Sequence, residues 1–151
     1  MSKWWAGAII WKREADGLYF LVQDARNINP KYRASHLQTK WPGGKKRHGP
    51  KEKKQYRTAL RELEEELGLV WRAGTCPYLL HTYMKEKGHK MFFYLMEFSG
   101  FEGTLRTEEV SDTSSRLFPP HWVKAEEAGR YLIASHQGAL LKALQYFGLM
   151  V

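Results

Sequence analysis

Glu62, Glu65 and Glu66 stand within the run Arg61-Glu62-Leu63-Glu64-Glu65-Glu66-Leu67-Gly68. On a helical wheel of about 100° per residue, setting Glu62 at zero puts Glu65 at about −60° and Glu66 at about +40°. The three carboxylates therefore share one face of a helix. Tyr56, Leu60, Leu63 and Leu67 fall on another side, so the same helix can bury an apolar stripe while it presents acids. Like charges at this spacing repel, at a cost of roughly 0.2–0.5 kcal/mol per pair, and a bound cation removes that cost. Carboxylate oxygens are hard ligands of the kind Mg²⁺ takes, usually a few at a time together with water and substrate phosphates. Read on the wheel alone, the run is equally an exposed acidic face paired with Arg57, Arg61 and nearby lysines.

A second charged feature lies just upstream. Lys45, Lys46, Arg47, Lys51, Lys53, Lys54 and Arg57 are opposed only by Glu52. Such a stretch is either a solvated loop and helix face or a surface that meets anions.

The elements that must hold these residues are legible in outline. Trp5–Trp11 and Leu18–Gln23 are apolar runs around Glu14-Ala15-Asp16-Gly17, whose Asp-Gly pair signals a hairpin turn. Residues 25–40 are polar and read as a long loop, closed by Trp41-Pro42-Gly43-Gly44. The helix is expected to start near Pro50 with Gly49 as N-cap, to run close to five turns, and to stop at Gly68. Pro77–Met84 and Met91–Phe98 are expected strands around a turn at residues 85–88. Residues 99–118 read as loops, residues 121–123 as a short strand, and Ala125–Leu132 and His136–Phe147 as helical. Strands first, a central helix and a helical end argue for a mixed α/β sandwich.

The 151 residues suit a single domain spanning 1–151, and 43% apolar with 14% aromatic content suffices for a core. Cys76 is the only cysteine, which excludes an intramolecular disulfide and Cys-based zinc spacing and fits a reducing, cytoplasmic setting. The apolar N-terminal run ends at Lys12-Arg13, too short for a membrane span, and it lacks the layout of a secretory signal. A net charge of +8 favours anionic partners such as nucleotides or RNA. The histidines, His36, His48, His81, His89, His121 and His136, show no ligand spacing and read as surface or packing residues.

The segment Arg61–Leu69 resembles the second half of the Nudix box, Arg-Glu-hydrophobic-any-Glu-Glu-any-Gly-hydrophobic, at every specified position. Trp41-Pro42-Gly43-Gly44 is similar to the glycine turn that opens that motif, and Ala6-Gly7-Ala8-Ile9-Ile10 to the family's first core strand. The resemblance implies an α/β/α sandwich with a central mixed sheet and the catalytic helix packed on it. It departs in one place. Gly44 and Arg61 stand about three residues further apart than in the family pattern, and the auxiliary glutamate expected eight residues before the arginine is replaced by Lys53, with Glu52 beside it.

Carried onto these positions, the resemblance implies that Glu65 and Glu66 bind metal and that Glu62 binds metal or acts as base, with Arg61 holding the glutamates by charge-assisted bonds. It also implies a backbone carbonyl ligand from Gly43 or Gly44, and a late-loop glutamate for which Glu108 and Glu109 are candidates. The cofactor expected is Mg²⁺, with Mn²⁺ as a substitute. Lys45 and Lys46 are candidate phosphate contacts. Trp41, Tyr83 and Phe92-Phe93-Tyr94 are candidate base-stacking aromatics, although alternating aromatics in a strand more often face a core.

The reaction so implied is attack of water on a metal-bound nucleoside diphosphate linked to a further group. Nucleoside triphosphates and dinucleoside polyphosphates are the leading substrates. Pro42-Gly43-Gly44-Lys45 stands where the family's dinucleoside polyphosphate hydrolases have Pro-Lys-Gly-His. Two alternatives remain: removal of pyrophosphate from an RNA 5′ end, and a non-catalytic Nudix-like module that binds nucleotide or RNA.

Overall fold

The computed structural model describes residues 3–27, 37–46, 54–111 and 115–150. The chain opens with β1 (Lys3–Glu14), β2 (Gly17–Asn27), β3 (Gln38–Lys40) and β4 (Gly43–Lys45), which lead to the helix α1 (Gln55–Leu67). There follow β5 (Leu69–Trp71), β6 (Tyr78–Glu86), β7 (His89–Glu97), a 3₁₀ turn (Phe98–Gly100), β8 (Phe101–Gly103), β9 (Val110–Ser111), β10 (Ser115–Leu117) and β11 (His121–Lys124). A second 3₁₀ turn (Ala128–Arg130) precedes α2 (Ala134–Tyr146).

The main sheet runs β6-β7-β1-β2-β10-β9, with β3 and β11 also on β2 and β4 also on β1. β1 pairs parallel with β7 and antiparallel with β2 and β4, so the sheet is mixed. A small ribbon of β5 and β8 stands apart from it.

β1 is central, and its residues Trp4 to Ile10 are all buried, because both of its faces are covered. Trp4, Ala6, Ala8 and Ile10 turn to one side, where Ala59, Leu63 and Leu67 of α1 meet them. Trp5 and Ile9 turn to the other, against Ala139, Leu140 and Ala143 of α2. The period of two in the strand thus divides one run into two cores and yields the α/β/α sandwich. Phe93 and Leu95 of β7 join the α2 side while Tyr94 and Met96 join the α1 side, the same division one strand away.

Several boundaries differ from the sequence expectation. The hairpin turn is only Ala15-Asp16, with Glu14 paired to Gly17, and both strands extend beyond their apolar runs because the ladder continues outside the core. Part of the expected loop 25–40 is strand: β2 runs to Asn27, and β3 pairs Gln23 with Lys40. The β6–β7 connection is likewise a two-residue turn at Lys87-Gly88. The stretch 99–118 contains β8, β9 and β10, which are too short to show periodicity. Residues 125–132 form turns and a single 3₁₀ turn rather than a helix.

α1 begins at Gln55, later than expected, because Lys54 is extended at φ −122°, ψ 138°. Gly49 and Pro50, the expected start, lie outside the described residues. The far end is as expected: Gly68 takes the left-handed conformation at φ 78° and donates its N–H to the Glu64 carbonyl at 3.1 Å.

Candidate active site

Two close contacts between glycine backbones and their neighbours bring the turn 41–44 to α1. Gly43 lies opposite Gly7 in the β1–β4 ladder, and a Cβ on Gly43 would sit 2.5 Å from the Gly7 Cα. Gly44 lies against the acidic helix, where a Cβ would stand 2.3 Å from Glu62 Cδ. Only glycine permits this approach. The apolar stripe of α1, with Leu63 and Leu67 fully buried, fixes the rotation of the helix and turns Glu62 and Glu66 toward the turn. Trp4 of β1 adds a bond from Nε1 to Thr58 Oγ1 at 2.9 Å.

Arg61 Nη1 donates to Glu62 Oε1 at 2.6 Å and to Glu65 Oε2 at 3.1 Å, while Nη2 donates to the Lys45 carbonyl at 2.9 Å. One guanidinium therefore ties both carboxylates to the strand after the glycine turn. Glu66 is held differently. Its Oε2 accepts from Gln23 Nε2 at 2.9 Å and from the Gly43 N–H at 3.4 Å. Burial pushes its pKa up to about 7; the Lys40 charge opposes that shift, and repulsion from Glu62 adds to it. The bonds from Gln23 and Gly43 lower it in turn.

Among the described residues no three His, Cys, Asp or Glu side chains already stand in a metal-ligand cluster. The donor set nevertheless fits a hard divalent cation. Glu62 and Glu66, one helical turn apart, lie close enough to repel, and a cation bound to such oxygens relieves both that repulsion and the cost of burying the Glu66 charge. Recruiting Glu62 and Glu65 requires Arg61 to share them, since both already accept from its Nη1.

The other expected site residues divide. Lys45 is exposed and offers its carbonyl to Arg61; Lys46 Nζ lies 4.2 Å from the centroid of the Trp4 ring. Glu108 and Glu109 are exposed on the late loop: the Glu108 carbonyl accepts from Arg106, and Glu109 pairs with Arg116 at 3.5 Å. Trp41 is a correction. It is fully buried, receives Phe20 edge-on and donates Nε1 to the His136 carbonyl at 3.2 Å, so it packs the core rather than stacking on a base. Phe93 is buried as well, while Tyr83 is exposed on β6. Glu52 and Lys53, around which the missing auxiliary glutamate turned, lie outside the described residues, as do His36 and His48.

Three residues near Glu66 escaped the sequence reading. Gln23 ends an apolar run and is fully buried, a pattern that marks a buried polar group in need of partners. Lys40 pairs with Gln23 across strands and places its charge on Glu66, yet beside Trp41 it looks like an ordinary loop lysine. Arg106 reaches Glu66 from a segment without periodicity, and nothing local distinguishes it.

A NUDIX domain family model matches residues 3–144. No curated protein sequence matches the chain. Among solved structures, the chain is similar to the E. coli ORF135 protein, at 23% identity over 97% of this chain and 90% of that one, with a TM-score of 0.61. It is also similar to a MutT NUDIX hydrolase from Burkholderia pseudomallei, at 23% identity, 94% and 98% coverage and a TM-score of 0.62. A C. elegans Ap4A hydrolase aligns at 20% identity, 97% and 98% coverage and a TM-score of 0.56. With the glycine turn, the acidic helix and the mixed sheet between two helices all in place and a family model spanning nearly the whole chain, the chain belongs to the NUDIX domain family.

Proposed function

We propose that this chain is a divalent-metal-dependent pyrophosphohydrolase acting on nucleoside diphosphate-linked compounds, with nucleoside triphosphates and dinucleoside polyphosphates as its substrates. The observation that carries the reading is the placement of Glu62 against Gly44 and of Glu66 against the Gly43 N–H, with Arg61 bonded to both Glu62 and Glu65. The similar structures include a MutT NUDIX hydrolase and an Ap4A hydrolase, the latter in keeping with a dinucleoside polyphosphate substrate.

In this reading Glu62, Glu65 and Glu66, with a backbone carbonyl of Gly43 or Gly44, hold Mg²⁺ or Mn²⁺. When bound, such a cation neutralises phosphate oxygens, lowers the pKa of water and orients attack. The chain's own residues do the rest. Arg61 fixes the Glu62 and Glu65 side chains, and the proton of the attacking water goes to Glu62, where it is not itself on the cation, or to a late-loop glutamate, Glu108 or Glu109. Lys45 and Lys46 follow the glycine turn and supply positive charge for distal phosphates, and the Lys40 charge acts on Glu66.

The test is a release assay over nucleoside triphosphates, dinucleoside polyphosphates, nucleotide sugars and triphosphorylated RNA, with Mg²⁺, Mn²⁺ or chelator. Turnover is expected to need the metal and to fall by about 10²-fold or more in Glu66→Gln and Glu62→Gln, on the scale of losing a positioned acid or base group. Metal-independent turnover, or full activity in both variants, overturns the reading. Preference for triphosphorylated RNA would move the assignment to RNA 5′ ends.

A further inference from the structure

Arg106 stands on the loop after β8 and uses all five of its N–H donors. Nε donates to the Glu66 carbonyl at 2.6 Å, and Nη2 donates to Gln23 Oε1 at 3.1 Å and to the Phe118 carbonyl at 3.0 Å. Nη1 donates to the Leu117 carbonyl at 3.4 Å and to the Glu108 carbonyl. Gln23 in turn donates Nε2 to Glu66 Oε2 at 2.9 Å. The bonds close a ring through three residues from three elements, and Arg106 grips Glu66 twice: directly at its main chain and through Gln23 at its side chain.

The direction of this ring is fixed by chemistry. A guanidinium can only donate, so Gln23 must turn its carbonyl oxygen toward Arg106 and its amide N–H toward Glu66. Gln23 is fully buried, so no solvent competes for either end of its amide. Both donors to the Glu66 carboxylate, Gln23 Nε2 and the Gly43 N–H, reach Oε2, and among the described residues none reaches Oε1.

We propose that Gln23 and Arg106 are positioning residues that commit Glu66 Oε2 to the protein and reserve Oε1 for the cation. The inference rests on the reading of Glu66 as a metal ligand and goes beyond it, because it assigns a task to two residues outside the motif. Arg106 sets the polarity of Gln23, and Gln23 sets the rotation of the Glu66 carboxylate. The same Arg106 also binds the loop carrying Glu108 and β10 to the end of α1, so the loop and the ligand share one anchor.

The test measures Mn²⁺ affinity by calorimetry alongside thermal melting, kcat and KM. Gln23→Glu keeps the shape and the acceptor facing Arg106 but replaces the donor facing Glu66 with an oxygen. Arg106→Lys keeps the charge but loses the fork that orients Gln23. Both are expected to bind Mn²⁺ about ten- to a hundredfold more weakly, the usual cost of removing a partner that orients a metal ligand. The loss should fall on kcat more than on KM and should persist well below each variant's own melting temperature, which is itself expected to drop because position 23 is fully buried and Arg106 bonds several carbonyls. In a Gln23→Met background, Arg106→Lys should lose most of its remaining cost, since Arg106 acts through Gln23. Should Gln23→Glu fail to fold, Gln23→Met, which keeps the volume without either bond, takes its place with the same expected loss.

Folded variants that bind Mn²⁺ as the unaltered chain does overturn the relay and leave the hydrolase reading standing. So does an Arg106→Lys cost that is undiminished in the Gln23→Met background, which would make Arg106 a clasp for the loop alone. An unaltered chain that neither binds Mn²⁺ nor turns over any substrate overturns the hydrolase reading itself.

Discussion

Gly44 decides how close the glycine turn comes to the carboxylates. A Cβ there would lie 2.3 Å from Glu62 Cδ and 2.5 Å from both of its oxygens, so Gly44→Ala must push the Glu62 side chain away. Displacements of about 1 Å at reacting groups can cost 10²-fold in rate. We expect Gly44→Ala to lower kcat by about that factor while the fold survives, since Gly44 is only half-buried, and paired melting and kinetic assays check this. Arg61 reads differently at this scale than a surface ion pair does. Its side chain is only 17% exposed and its fork serves two carboxylates and a carbonyl, which makes Lys a poor replacement.

α1 links the motif to the core through its leucines. Leu63 is fully buried among Ala6, Ala8, Ile10 and Met96, and its truncation leaves a cavity that the strand beneath cannot fill. Leu63→Ala should cost about 2–5 kcal/mol in unfolding free energy, measured by denaturant titration. Because Leu63 also fixes the helix rotation that aims Glu62 and Glu66, kcat per folded molecule should fall as well. α2 performs the corresponding task on the opposite face. His136 sits in its first turn, accepts the Trp41 N–H on Nδ1 at 2.9 Å and packs against Trp5 and Phe93. The segment leading into the glycine turn is thus pinned by the helix behind the sheet, a connection between residues 95 positions apart.

Across the whole molecule, two consequences follow from charge. Burial, with the Lys40 and Lys85 charges adding to it, holds His136 at a pKa of about 3 and keeps it neutral in the fold. The unfolded chain protonates this group near its ordinary value of about 6.5. Between those values the unfolded state binds the extra proton, so stability is fully present above the unfolded value and is lost as pH falls toward 3. The slope should approach about 1.4 kcal/mol per pH unit. Glu66, which the fold raises to about 7, contributes the opposite sign over the same window. The His136 contribution is therefore read as the difference between the unaltered chain and His136→Gln in denaturant titrations at pH 7 and pH 5: the unaltered chain should lose stability relative to the variant as pH falls. The net charge of +8 bears on the substrate: an anionic nucleotide is drawn by the summed field, and salt screens it. Raising salt from about 50 to 500 mM should raise KM several-fold with kcat nearly constant, and a far steeper dependence would indicate contact with the many phosphates of RNA. Among the described residues no helix is long and apolar enough to cross a membrane.

What the sequence determined by itself is local: the acidic run at helical spacing, the leucine stripe that anchors it, the terminating Gly68, and the apolar run Trp5–Trp11 that reads as a buried strand. Each rests on a period of 3.6 or 2, or on the conformational range of one residue, which neighbouring positions suffice to express. Gln23, Lys40 and Arg106 became neighbours of Glu66 only through the tertiary structure, since a hydrogen bond between residues 83 apart leaves no periodic trace. The same holds for Trp41, whose aromatic ring fits either a base or a core until the sheet and α2 close around it. Strand pairing decides such contacts, and a register is set by the whole sheet rather than by any one strand.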